Sequence, residues 1–186
     1  VLKFLRSTIP SSVEIQEDLP EKELTIIADQ IQINQVVMNI CINASQVMEE
    51  TGGILQLSVG KESLTEDFTK NHLDLKAADY LKITISDTGP GIDSEIIERI
   101  FDPYFTTKDV GQGSGMGLAV VHGIVKNHEG AITVDSLPGK GTTFTIYLPL
   151  SSEKSLEKIE IPEEYPRGSE SILFVDDEES IVEMSE

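Results

Sequence analysis

The stretch QINQVVMNICINASQVM, residues 32–48, carries carboxamides where a water-facing helix would carry charge. Gln32, Gln35, Asn39, Asn43 and Gln46 recur at intervals of three or four, which stacks them along one side of a helix. No Lys, Arg, Asp or Glu interrupts that side in a chain that is 25% charged. Such a face suits a contact that needs neutral hydrogen-bonding groups, whether a ligand or an overlying polar loop. Two glycine clusters bear on the choice. In SDTGPGID, residues 86–93, Asp87 ends a β-branched run and can accept from an exocyclic amine, while Gly89 and Gly91 let the backbone approach a flat molecule. The same Asp-x-Gly-x-Gly spacing also occurs in ordinary turns. GQGSGMGLAVVHGIV, residues 111–125, is more specific. Gly111, Gly113, Gly115 and Gly117 alternate with Gln112, Ser114 and Met116, and the loop runs at Leu118 into a helix whose leading N–H groups and dipole suit a phosphate chain. A loop without a ligand seldom needs so many glycines, because each adds entropy that folding must remove. The spacing is not that of a P-loop, and no parallel βαβ unit surrounds it as a dinucleotide fingerprint requires. Between the clusters, FDPYFTTKD (101–109) offers aromatic residues that read as loop anchors and a lysine, Lys108, that reads as solvated.

A framework must hold these groups, and its pattern can be read. Ile33, Val36, Val37, Ile40, Cys41, Ala44, Val47 and Met48 follow the i, i+3, i+4, i+7 rule and form a core-facing stripe opposite the amides. Asp29 is placed as the N-cap of this helix, with Gln32 three residues on. β-Branched runs predict strands at 13–16, 24–28, 54–59, 80–86, 131–135 and 142–148, the last two joined by the hairpin connection SLPGKG. A short helix is predicted after Asp93, and another from Gly117 to Asn127, closed by Gly130. Together these predict an α+β fold, a mostly antiparallel sheet covered on one face by helices. Residues 60–79 form a polar excursion, and the sequence has no internal repeat.

At 186 residues and 39% hydrophobic content, the chain suffices for one domain with a core and a small appendage. No run approaches the ~20 apolar residues of a membrane span, and the first residues lack a signal-peptide pattern. Cys41 is the single cysteine, which excludes a disulfide framework and a cysteine metal cluster and fits a reducing, cytoplasmic setting. A formal charge of −19 argues against nucleic acid and anionic lipid as partners. That charge is concentrated, since from Glu153 onward twelve acidic residues face only Lys154, Lys158 and Arg167. Residues 151–170 accordingly read as a linker, and SILFVDDEES (171–180) as a first strand followed by an acidic turn.

In order, QVVMNICINA, DTGPGI, FDPYFTTK and GQGSGMGL resemble the N, first-glycine, F and second-glycine boxes of the sensor histidine kinase catalytic domain, in the Bergerat ATPase superfamily. The resemblance covers about residues 1–150 and includes GKGTTFTIYLP at the end of the sheet. It implies a two-layer α/β sandwich that binds ATP, with a mixed, mostly antiparallel sheet covered on one face by three helices. It also implies that Asn43 ligates a Mg²⁺ bridging the ATP phosphates and that Asn39 supports this site one turn earlier. Amides suit that task, because a hard cation wants oxygen and a carboxylate beside a triphosphate would add repulsion. The same resemblance assigns Asp87 to the adenine amine and Gly91, with Gly89 in the same loop, to the wall beside the base. Gly111, Gly113, Ser114, Gly115, Met116, Gly117 and Leu118 become the lid and helix start over the phosphates. Lys108 would reach the γ-phosphate, and Thr142 would support a water on adenine.

In related hydrolases a glutamate four residues before the metal-binding asparagine activates water; here that position is Asn39. An amide takes no proton near neutral pH, so the resemblance implies transfer to a protein nucleophile rather than hydrolysis. His72, His122 and His128 lack the surroundings of the family's phosphoacceptor and read as structural or solvated. The acceptor histidine is therefore expected on a dimerisation and phosphotransfer domain of the same full-length protein, outside these residues. SILFVDDEES resembles the first strand and acidic pair of a response-regulator receiver domain, with Asp176 and Asp177 beside a Mg²⁺ site. That implies a hybrid histidine kinase, with residues 171–186 as the start of a receiver domain, and a receiver domain or response regulator as partner. The alternative expectation is a nucleotide-gated interaction module that binds ATP or ADP without productive transfer.

Overall fold

The computed structural model describes residues 2–20, 22–69, 75–107 and 113–151. His72, Lys108, Gly111, nearly all of the expected linker and the whole of the expected receiver start lie outside the described residues. The first helix, α1 (Leu2–Thr8), buries Leu5, and one turn on Ile9 is buried as well. The Ile9 amide still closes onto the Leu5 carbonyl at 2.8 Å, after which Pro10, lacking a donor, ends the ladder. Then come β1 (Val13–Asp18), α2 (Gln30–Val47), β2 (Gly53–Ser63), the single turn α3 (Glu66–Thr69) and β3 (Asp79–Asp87). A 3₁₀ turn at Ile97–Arg99, α4 (Gly117–Asn127), β4 (Ala131–Leu137) and β5 (Gly141–Pro149) complete the order.

The strands form one sheet in the order β1-β2-β3-β5-β4. β1 and β2 are parallel, with α2 as the crossover that a parallel pair requires, and the other neighbours are antiparallel. The α+β class and the mixed, mostly antiparallel sheet under helices are as the sequence predicts. Strand alternation sends Leu55, Ile83, Ile85, Phe144 and Ile146 to the helix side, where they meet Val36, Ile40, Cys41, Val121 and Val125. Each large side chain buried there stabilises the fold by roughly 1.5–3 kcal/mol. Burial pushes the Cys41 thiol up to about 12, so it is an inert packing group. A smaller cluster on the other side of the sheet brings Tyr80 edge-on to Tyr147, ring centres 6.4 Å apart. Among the described residues no helix is long and apolar enough to cross a membrane.

Local details depart from expectation for identifiable reasons. Residues 24–28 form no strand; Leu24 and Ile26 pack onto the core, and Thr25 meets the end of the sheet through its carbonyl, which accepts from the Ser151 amide at 2.9 Å. The β-branched run there serves packing instead of pairing. The helix predicted after Asp93 shrinks to the 3₁₀ turn at Ile97–Arg99. Asp29 does cap α2, accepting from the Ile31 and Gln32 amides at 2.8 and 3.4 Å. Gln32, however, donates to Asp29 Oδ2 at 3.3 Å, and the Asp29 N–H is taken by His128 Nε2 at 3.2 Å. With its Nδ1 2.8 Å from the Ile124 carbonyl, His128 joins the end of α4 to the start of α2. His122 stacks on Phe101 at 5.4 Å, so both histidines are structural. The left-handed residue after α4 is Glu129 (φ 54°), not Gly130.

Candidate functional site

A cavity of about 550 Å³ opens beside α2, the loop after β3, the start of β5 and the start of α4. Of the residues singled out by sequence, Asn39, Asn43, Asp87, Gly91, Gly113, Ser114, Gly115, Gly117, Leu118 and Thr142 line it. Gly89 and Met116 are not among its lining residues.

Asp87 is the last residue of β3, opposite Thr142 in the register with β5. The strands can approach there because residue 141 is glycine; a Cβ on it would fall 1.9 Å from the Asp87 carbonyl oxygen. Asp87 Oδ1 accepts from the Gly89 amide at 2.8 Å and from the Thr142 amide at 3.3 Å. Among the described residues no donor occupies Oδ2, which is the acceptor the carboxylate offers to the cavity. Burial raises the Asp87 carboxyl above its ordinary value, and the two backbone donors counteract part of that rise. A ligand N–H on Oδ2 would relieve the same penalty.

The amide face reaches the start of α4. Asn39 Nδ2 donates to the Gly117 carbonyl at 3.3 Å, and Asn43 Nδ2 stands 3.7 Å from where a Cβ on Gly117 would be. Met116 occupies the N-cap position of α4 and makes no side-chain capping bond, so no cap side chain covers the leading N–H groups of this helix. Ser114 Oγ accepts from the Met116 amide at 3.3 Å. The loop is fastened to the F-box segment: the Tyr104 amide donates to the Gly115 carbonyl at 3.0 Å. Tyr104 holds φ 68° with its side chain 77% exposed, an unusual conformation for a bulky residue.

The sequence reading missed the apolar wall. Ile92, Ile96, Ile100, Phe105 and Phe144 line the cavity, and Ile96 and Ile100, four residues apart around the 3₁₀ turn, were the available signal. The Arg99 guanidinium lies 4.6 Å from the Phe105 ring centre and fixes that side chain from outside. Val47, assigned to the core stripe, is 46% exposed and lines the cavity instead. Ser136 on β4 was not anticipated either. Its Oγ accepts from the Ile92 amide at 2.8 Å and lies 3.0 Å from both the Gly141 carbonyl and Thr142 Oγ1.

Residues 28–152 match the family model described as "Histidine kinase-, DNA gyrase B-, and HSP90-like ATPase". The chain is 36% identical over 187 aligned residues to the sensor kinase CckA of Brucella abortus (strain 2308), an alignment covering 96% of this chain and 20% of that protein. It thus spans about a fifth of that curated relative. Among solved structures, the mycobacterial sensor histidine kinase MprB superposes with a TM-score of 0.62 at 25% identity, covering 80% of this chain and 89% of that one. Full-length ShkA in complex with AMPPNP superposes at 0.61 and 23% identity over 81% of this chain and 29% of that one, a likeness of fold. The five-stranded sheet, the site built at the ends of its central strands and these matches agree: the chain belongs to the histidine kinase-, DNA gyrase B- and HSP90-like ATPase family, and it is similar to the ATPase domains of sensor histidine kinases.

Proposed function

We propose that this domain binds Mg-ATP and donates the γ-phosphate to a histidine on a dimerisation and phosphotransfer domain of its full-length protein. The observation that carries this reading is a single cavity lined by the Asp87 carboxylate, the Asn39 and Asn43 amides and the glycine loop that opens α4. Asp87 Oδ2 suits the adenine amine, the first turn of α4 suits the phosphates, and the apolar wall suits the faces of the base. A full-length relative in fold, ShkA, is known in complex with AMPPNP.

Among the described residues no cluster of three or more His, Cys, Asp or Glu could hold a metal by itself. The donor set therefore fits a Mg²⁺ that arrives with the nucleotide, held by Asn43 and by phosphate oxygens, as this cation prefers. When bound it would neutralise charge on the phosphates, the chief electrostatic requirement of phosphoryl transfer. Asn39, with its Nδ2 on the Gly117 carbonyl, offers no general base, which favours transfer over hydrolysis. Lys108 at the γ-phosphate, Gly111 in the lid and a water on Thr142 belong to the same proposal. So do the linker at 151–170, the receiver start at 171–186, a receiver domain or response regulator downstream, and a cytoplasmic location.

Calorimetry on the 186-residue chain with ATP or ADP, with and without chelator, tests the site. Asp87→Ala should abolish binding, and Asn43→Ala should chiefly remove its magnesium dependence. Equal affinity across all variants would overturn the assignment. Joining a histidine-bearing phosphotransfer domain and following labelled phosphate tests transfer; acid-labile, base-stable label on histidine is expected, with none at His72, His122 or His128. Intact binding without label would instead favour the nucleotide-gated interaction module.

A further inference from the structure

The hydroxyl of Ser136 does not line the cavity, yet three of its contacts meet residues that shape it. Its Oγ receives the Ile92 N–H at 2.8 Å, fixing the loop after β3 against β4. It also lies 3.0 Å from the Gly141 carbonyl and 3.0 Å from Thr142 Oγ1. A serine hydroxyl has one proton and two lone pairs. If that proton were given to Thr142, two acceptors, Ser136 Oγ and the Gly141 carbonyl, would face each other at 3.0 Å with nothing between them. The arrangement that supplies one proton to every contact runs in a single direction: Thr142 O–H to Ser136 Oγ, and Ser136 O–H to the Gly141 carbonyl. Ser136 is then saturated, and the Thr142 proton points away from the cavity that Thr142 lines.

The consequence concerns what the cavity can recognise. Thr142 is 5% exposed, so its hydroxyl has little water to turn toward, and it stands opposite Asp87 in the register of β3 and β5, with its amide on Asp87 Oδ1 at 3.3 Å. A cavity lined by a carboxylate and by a hydroxyl held as an acceptor welcomes an N–H and repels a carbonyl oxygen. We infer that Ser136 is a positioning residue for base selection: by holding the Thr142 hydroxyl as an acceptor, it makes the pocket reject purines with an oxygen at C6. This rests on the nucleotide-binding reading above and names the residue that sharpens it.

The test is competition binding of ATP and inosine triphosphate, which carries a 6-oxo group and an N1–H in place of the 6-amine and bare N1, to the full 186-residue chain and its variants. The unaltered chain is expected to prefer ATP. Ser136→Ala frees the Thr142 proton to point into the cavity, so the ATP-over-ITP preference should fall by about tenfold, the scale of one redirected hydrogen bond. Ser136→Thr keeps a hydroxyl and should retain the preference. Thr142→Val, which removes the hydroxyl without disturbing its amide, should lower the preference as well, and adding Ser136→Ala to it should change nothing further. If Ser136→Ala fails to fold, the contrast of Thr142→Val and Ser136→Thr still decides. An ATP-over-ITP preference left unchanged by Thr142→Val or Ser136→Ala, or a loss in Ser136→Ala that is equal for both nucleotides, overturns the inference. Absence of any ATP binding or ATP preference in the unaltered chain instead overturns the nucleotide reading on which it stands.

Discussion

Asp87 illustrates how a cavity residue proposed to hold a ligand can work against the fold that carries it. Burial raises its carboxyl above the ordinary aspartate value of 3.8, and the Gly89 and Thr142 amides pull it back only in part. The folded chain thus holds this proton more tightly than the unfolded chain. Its contribution to stability is full below about 3.8 and is lost as pH rises from there through the raised folded value. Above that window a desolvated charge opposes folding. Asp87→Asn keeps one oxygen for both backbone donors and removes the charge, so it should stabilise the nucleotide-free chain at neutral pH by on the order of 1 kcal/mol. It also sets an NH₂ where a ligand amine must donate, so ATP affinity should fall by roughly a hundredfold or more. Thermal scans across pH, with and without ATP, check both parts. The stability gain should shrink to nothing at low pH, where both side chains are neutral. Asp87, Asn39 and Asn43 could be read from sequence because a polar residue in a patterned run stands out. Val47 and Ser136 could not. Val47 obeys the helical spacing of the core stripe, and only the packed structure turns its end to the cavity. Ser136 acquires its part from Ile92, Gly141 and Thr142, none of which is implied by its place in a strand.

The end of α4 shows the same division between what spacing reveals and what packing decides. A glycine shortly after a helix usually supplies the left-handed residue that closes it. Here Glu129 takes that conformation, and Gly130 is needed for another reason: a Cβ on it would lie 2.4 Å from the Tyr147 carbonyl. The Gly130 amide still donates to the Val125 carbonyl at 2.9 Å, so the closure itself is as predicted. Glu129→Gly should therefore raise stability by about 0.5–1 kcal/mol, since only the strained β-carbon is lost. Gly130→Ala should lower it by more than about 1 kcal/mol, because β5 backbone blocks the added methyl. Urea titrations of the two variants should move in opposite directions; a stabilised Gly130→Ala would show that the two roles had been exchanged. The failed strand at 24–28 has a parallel cause. β-Branched alternation reports a half-buried surface, and Leu24 and Ile26 meet that requirement by covering the core.

For the molecule as a whole, the question is how elements far apart in sequence are brought to one cavity and kept there. α2 and α4 are fastened at two levels: Asn39 to the Gly117 carbonyl beside the site, and the Asp29 amide to His128 at the other end. Ten residues of helix, about 15 Å, separate Asn39 from Asp29, so the pair is braced antiparallel along its length. The glycine loop has a different attachment, to the exposed Tyr104 through one backbone bond of 3.0 Å. Gly115 makes it possible; with φ 64° and a Cβ position 2.4 Å from the Tyr104 carbonyl carbon, no side chain fits there. Gly115→Ala should part the loop from Tyr104. Because Tyr104 is 77% exposed and outside the core, global stability should change by less than about 1 kcal/mol. The end of the cavity built on β3 and β5, where the base is proposed to lie, should stay intact. Adenosine, which has no phosphates, should therefore bind Gly115→Ala as it binds the unaltered chain, while the added affinity of ATP over adenosine should shrink by about tenfold. Ligand titrations followed by NMR can measure both affinities on one sample, and an equal loss for adenosine and ATP would mean that the loop supports the whole pocket and not its phosphate end alone.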